Sequence, residues 1–358
     1  MSNRARLRDL GITIGRHPAG PLNAITDVAG VQVGHITLIE DSPRILRTGV
    51  TMILPREDIW QNAVFGGYFS FNGNGEMTGI PWLEEVGMID TPIGITNTLS
   101  VGIVRDAIER AAVAKGVLDG FLLPIVAETY DGWLNDITAF AITTEHALAA
   151  IENAASGPVL EGNVGGGTGM MCHHFKGGIG TSSRMVETQS GVFTVGVLVQ
   201  SNYGSRHTFR VDGVPVGQAI PYEHTPPPWG APEERGSIIV IVATDAPLIP
   251  IQCQRLAKRA TTGLARVGGY GGNESGDIFL AFATGNPLPI KPSVPYTLTM
   301  FPNEHINPLF EGVVEATEEA IINAMTAAET MTGFQGHTAH ALPVDELQRI
   351  MQQANRGL

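Results

Sequence analysis

Gly236-Ser237-Ile238-Ile239-Val240-Ile241-Val242-Ala243 sets a glycine and a hydroxyl directly ahead of six consecutive apolar residues. Most of those residues are β-branched and no polar side chain alternates with them, so they read as a strand buried on both faces. Such a strand needs a layer on each side. Four further apolar runs, 51–54, 192–199, 278–283 and 296–300, are rich in β-branched and aromatic residues, are flanked by glycine, proline or aspartate, and also read as strands. Helical periodicity predicts helices over 99–115, 144–155, 246–266, 308–331 and 344–353. For the fourth of these, Asn307 is the cap, Pro308 takes the first helical position and Gly333 ends it. Together these elements predict a layered α/β sandwich. No self-similar period indicates a repeat protein.

The composition fits a large interior. Hydrophobic residues make up 43% of the 358 and charged residues only 16%, while 44 glycines are spread through the chain in pairs and triplets that mark turns and close backbone approaches. A formal charge of −13 with no basic cluster repels a phosphate backbone, so nucleic acid is excluded as an expected partner. No run of about 18 uncharged apolar residues spans a bilayer, and residues 1–15 lack a secretory apolar core. Two cysteines, Cys172 and Cys253, suit a reducing compartment, and the cytoplasm is the expected location.

Residues 221–236 read PYEHTPPPWGAPEERG, with five prolines and four charged residues before the apolar strand begins. This is an exposed connector, and a domain linker explains its composition as well as a cleavable segment does. Glycine at 236 permits backbone angles closed to other residues, so the Ser237 hydroxyl can swing onto the preceding carbonyl. Cleavage there exposes an α-amine, which titrates near pKa ~7.7–8.0 in water and lower when desolvated. The serine then carries its own proton acceptor. A Gly-Ser turn before a strand is the plainer reading of the dipeptide alone.

Longer motifs decide between the two. Asn97-Thr98-Leu99-Ser100-Val101-Gly102, Glu128-Thr129-Tyr130-Asp131-Gly132, Gly165-Gly166-Gly167-Thr168-Gly169, the run from Phe175-Lys176-Gly177-Gly178 to Thr181-Ser182-Ser183-Arg184, Ser201-Asn202-Tyr203-Gly204, and Arg235-Gly236-Ser237 leading to Thr244-Asp245-Ala246-Pro247 occur in order. In these the chain resembles, end to end, the L-aminopeptidase D-amidase/esterases and β-peptidyl aminopeptidases. The resemblance implies an αββα sandwich like that of N-terminal-nucleophile hydrolases with different strand connectivity. It implies a single-domain precursor, 1–358, cut into chains 1–236 and 237–358. It also implies Ser237 as nucleophile, Ser275 and Asp277 as the pair that orients it, Asn202 as main oxyanion donor assisted by the Tyr130 hydroxyl, and Glu128 as the carboxylate that recognises a substrate's ammonium group. Asp277 stands where some relatives have glutamate. Short peptides, amino-acid amides and esters, including D- and β-amino members, are the implied substrates, and a tetramer of two-chain units is the implied assembly.

Two alternatives remain at this level. One is a self-cleaving acyltransferase resembling the ornithine acetyltransferases, which use threonine; the other is a non-catalytic binding protein of the same fold. The Gly165 to Gly169 run lacks the lysine of a phosphate loop and reads as a tight structural turn. Cys172, His173 and His174 are adjacent and without a second ligand pair, so neither metal nor cofactor is expected.

Overall fold

The computed structural model describes residues 4–118, 120–223, 225–228 and 236–354. Along the chain run β1 (Gln32–Glu40), β2 (Leu46–Leu54), β3 (Asn62–Ser70), α1 (Ile80–Val86), β4 (Met88–Ile89), β5 (Ile93–Asn97), α2 (Val101–Ala114), β6 (Ile125–Thr129), α3 (Thr144–Glu152), β7 (Met171–Cys172), β8 (Phe175–Lys176), β9 (Gly178–Thr188), β10 (Gly191–Asn202) and α4 (Val216–Ala219). They are followed by β11 (Ser237–Thr244), α5 (Pro250–Val267), β12 (Ile278–Pro289), α6 (Asn307–Thr326), β13 (Met331–Thr332), β14 (Thr338–Ala339) and α7 (Val344–Gln353).

The apolar run in β11 divides by parity, as a strand's two-residue period requires. Ile238, Val240 and Val242 pack with Leu256 and Ala260 of α5 and Leu309 and Val313 of α6. Ile239, Ile241 and Ala243 pack with Ile53, Ile93, Ile95 and Ala127 of a second sheet. That sheet turns its other face to α2 and α3, where Val50 and Met52 meet Val104, Ile108, Ala147 and Ile151. The order of layers is therefore helix, sheet, sheet, helix. Each buried Ile or Val contributes about 1.5–3 kcal/mol by leaving water, which is why an unalternated run ends up at the centre.

The larger sheet has the order β4-β3-β12-β11-β10-β9 and the smaller β1-β2-β5-β6. β10 runs antiparallel to β11 with Asn202 opposite Ser237, and β12 runs parallel to β11 with Ile278 opposite Ile239. The end of β10 and the starts of β11 and β12 thus meet at one margin of the sheet. Gln200 joins the sheets there by donating to Thr96 O and Thr129 Oγ1, both at 2.9 Å.

A buried charged cluster fixes α6 on β9. Gly180 lets the helix approach so closely that a Cβ there would lie 2.0 Å from Ala320 O. Beside it the fully buried Arg184 pairs with Glu315 at 3.1 Å and Glu319 at 2.7 Å, and Arg8 reaches Glu319 at 2.8 Å. Burial alone pushes the Glu319 carboxyl up, but Arg184 and Arg8 prevail and hold it below its ordinary value. A depressed carboxyl stabilises the fold at neutral pH, and that contribution is lost as pH falls through the folded value. Arg184→Met leaves the buried Glu315 without a cation and Glu319 with Arg8 alone, and is expected to lower the unfolding free energy by about 3–5 kcal/mol. A urea midpoint equal to that of the native chain would show that α6 docks without the pair.

Four of the five expected helices recur with shifted ends, and 344–353 recurs unshifted. Helix 246–266 begins later, at Pro250, whose fixed φ suits a first turn. Helix 308–331 stops at Thr326, and Met331–Thr332 pairs with Thr338–Ala339 instead of continuing it. The expected strand 296–300 is absent. Its residues are exposed and join no sheet; the Asn286 side chain alone bonds the backbone of Thr299, at 2.9 Å in both directions. Pro292 and Pro295 remove ladder donors just before it.

Candidate active site

Ser237 opens β11 as a residue only 6% exposed, and its Oγ accepts the N–H of Gly276 at 2.9 Å. An N–H aimed at a hydroxyl oxygen favours the alkoxide, which is what a nucleophile must approach. Gly276 belongs to the tight stretch between α5 and β12, so this donor is supplied by backbone alone. Before the serine, Gly236 has φ +102° and a built Cβ would lie 1.7 Å from Asn202 O. No L side chain fits there.

Asn202, across the strand pair, is held at both ends of its amide. Its Oδ1 accepts the Met171 N–H at 2.8 Å and its Nδ2 donates to Tyr130 O at 3.0 Å. The N–H of Met171 can only donate, so the atom facing it is the oxygen and the NH2 is turned the other way. One of its two N–H groups remains for a further acceptor. Tyr130 therefore meets Asn202 through its carbonyl, while its hydroxyl lies over Gly132, 2.2 Å from where a Cβ would stand.

Asp277 is 1% exposed, and burial raises its carboxyl above the ordinary aspartate range. Hydrogen bonds oppose that shift: Oδ1 accepts Ser275 Oγ at 2.7 Å and Ile238 N at 3.1 Å, and Oδ2 accepts Asn72 Nδ2 at 3.0 Å. The Ile238 contact places this carboxylate beside the backbone one residue past the serine. Glu128, at the end of β6, is 4% exposed; Oε1 accepts Glu76 N at 3.0 Å and Oε2 accepts the Thr98 hydroxyl. Burial again raises the carboxyl, with those two donors opposing.

The structure thus joins Ser275 to Asp277, Asp277 to the Ile238 N–H and Asn202 to the Tyr130 carbonyl by hydrogen bonds, with Asn202 opposite Ser237 in the strand pair and Glu128 two residues before Tyr130. Asn72, Thr98, Met171 and the Gly276 N–H complete the site without having been singled out in the sequence. Of the connector 221–236, His224 and residues 229–235 lie outside the described residues, and with them Arg235 of the motif at the cleavage position.

Gly165–Gly167 forms a single buried turn whose N–H groups donate to Thr37 and Thr51 hydroxyls, consistent with a structural role. Cys172 Sγ accepts the Ser201 hydroxyl at 3.0 Å, and His173 Nδ1 lies 2.9 Å from Ser205 O. Among the described residues, one group has ligand atoms close enough to share an ion, His17, Glu311 and Glu315, but Arg16 and Arg184 already occupy its carboxylates. No helix among the described residues is long and apolar enough to cross a membrane.

Comparison with known proteins sets this chain beside aminopeptidases. A solved L-aminopeptidase D-Ala-esterase/amidase from Ochrobactrum anthropi, described as a variant of the Ntn hydrolase fold, superposes with TM-score 0.90 at 44% identity and covers 99% of both chains. A Burkholderia sp. β-aminopeptidase superposes with TM-score 0.91 at 48% identity, over 98% of this chain and 99% of that one. The β-peptidyl aminopeptidase BapA of Sphingosinicella microcystinivorans is 48% identical over 98% of this chain and 93% of its own length. The sequence profile of peptidase family S58 matches residues 23–339, and the chain belongs to that family. It is a hydrolase with aminopeptidase and amidase function.

Proposed function

We propose that the chain matures by breaking its own Gly236-Ser237 bond and that Ser237 is the nucleophile of both the cut and the later hydrolysis. The observation that carries this reading is the setting of Ser237: its hydroxyl accepts the Gly276 N–H, Asp277 bonds the Ile238 N–H beside it, Asn202 lies opposite it in the strand pair, and Gly236 before it has a backbone closed to other residues. In the precursor, Oγ attacks the Gly236 carbonyl, the acyl group passes from nitrogen to oxygen, and water hydrolyses the ester to leave chains 1–236 and 237–358. In the mature enzyme the freed α-amine of Ser237 takes the hydroxyl proton as Oγ attacks the substrate's first carbonyl. Asp277, with Ser275 donating to it, bonds the N–H one residue past Ser237 and stabilises the ammonium that forms. The free N–H of Asn202 receives the charge that develops on the carbonyl oxygen. The leaving amine departs with the proton, and water then releases the acyl group by the reverse transfer.

Glu128 supplies the carboxylate that selects a free amino end, so the substrates are short peptides, amino-acid amides and esters. Glu128→Ala is expected to raise KM for an aminoacyl amide about 10- to 100-fold, the worth of one charge-assisted hydrogen bond, with a much smaller change in kcat. Because burial raises the Glu128 carboxyl, native KM should begin to climb with acid at a pH above the ordinary glutamate range. Steady-state kinetics on matched substrates with free and acetylated amines checks both; equal losses on the two would remove Glu128 from this role. A panel of L-, D- and β-aminoacyl amides defines the preference among stereochemical classes. Homo-oligomerisation is supported by the exposed row Val294, Tyr296, Leu298 and Met300, and sedimentation gives the number of copies.

A further inference from the structure

Lys176 is fully buried, and among the described residues no carboxylate accepts from its ammonium. Its three N–H groups go to backbone oxygens instead: Met170 O at 2.8 Å, Gly177 O at 2.9 Å and Gly167 O at 3.4 Å. Its own backbone N–H donates to His340 O at 2.7 Å, fixing the stem. Burial pulls the ammonium down to about 7 from its ordinary value. A buried cation bound only to neutral carbonyls is a costly way to hold a hairpin together. A methionine of similar length would fill the space without the desolvation penalty.

The carbonyl of Met170 and the N–H of Met171 belong to one planar peptide group. Lys176 grips the oxygen of that group, and its N–H is the donor that holds Asn202 Oδ1 at 2.8 Å. The same oxygen also accepts Gly177 N–H at 2.9 Å, closing the loop on itself. A cation on the carbonyl polarises the peptide, strengthens its N–H as a donor, and passes the polarisation to the amide of Asn202, whose NH2 faces the site.

We propose that Lys176 is the positioning residue of the oxyanion donor, acting through the peptide group between Met170 and Met171 to orient and polarise Asn202. This rests on the reading of Asn202 as the group that receives charge from the substrate carbonyl. Lys176 touches no substrate, and its effect belongs to the transition state, where the charge exists, rather than to binding.

The test is a double-mutant cycle on the full chain, with Lys176→Met, Asn202→Ala and the pair, read as kcat and KM on one aminoacyl p-nitroanilide and, in parallel, as the first-order rate of precursor cleavage. Lys176→Met is expected to lower kcat about 10- to 100-fold with KM within twofold, below the ~10²–10³ loss of a direct donor. Added to Asn202→Ala, it should cost little more, because its route to the reaction is already gone. Losses that multiply, or a Lys176→Met enzyme with native kcat, overturn the proposal while leaving Asn202 in place. An Asn202→Ala enzyme with native kcat overturns the oxyanion reading and this inference together. If the Met variant does not fold, Lys176→Gln, which keeps two donors without the charge, is held to the same criteria.

Discussion

Ser237→Ala is expected to leave one uncut chain of 38.0 kDa and to depress hydrolysis of aminoacyl amides by about 10⁴-fold or more. Both effects have one origin. The hydroxyl is the attacking atom in the cut and in turnover, and without the cut the α-amine that accepts its proton never appears. The alanine also removes the acceptor of the Gly276 N–H, one buried hydrogen bond at 2.9 Å, a loss of about 1 kcal/mol that leaves the fold intact. Intact-mass spectrometry and a denaturing gel read the first effect, and initial rates read the second. A variant that still yields 1–236 and 237–358 would assign the cut to another group, and one uncut yet fully active would remove the amine from the mechanism.

Gly236→Ala is expected to accumulate precursor even though every reacting group is present. The native backbone has φ +102° at 236, where L residues are strained, and the added methyl would stand 1.7 Å from Asn202 O. The peptide must move, and the carbonyl under attack moves with it. Displacements near 1 Å cost about 10²-fold in a positioned reaction, so the cleavage half-time should lengthen by at least that factor. A gel time course on freshly refolded chain measures it. Native cleavage rates in this variant would show that the glycine is there for packing alone.

The central strand was legible because six apolar residues without alternation admit few placements, and parity then divides them between two cores. Ser237 followed from its position at the mouth of that strand, whereas the roles of Asn202, Ser275, Asp277 and Glu128 came only with the family motifs. Nothing local marks them: Asn202 and Ser275 lie in polar stretches that read as turns. Gly276 N–H and Met171 N–H were beyond reach for a different reason, since a backbone donor has no side chain to announce it. Strands β3, β5, β6 and β9 escaped notice because they are short or broken by glycine and hydroxyl residues, whose polar groups find partners only in the fold: Gln200 donates to Thr96 O and Thr129 Oγ1, and the Thr181 and Ser182 hydroxyls donate to Val197 O and Ala316 O. The segment 296–300 shows the converse, an apolar pattern suited to a strand but without a strand to pair with among the described residues.

In the larger sheet the residues on either side of the proposed cut are interleaved. β3 and β4 come from the first product, β12 and β11 from the second, and β10 and β9 from the first again. The later piece is a two-strand insert stitched along both seams, by β3 on one side and β10 on the other. Neither fragment holds the larger sheet by itself, so the halves cannot drift apart or be swapped between molecules by dilution; parting them means tearing the core open. Hydrolysis of one bond thus alters what the protein can do while leaving its mechanical continuity intact.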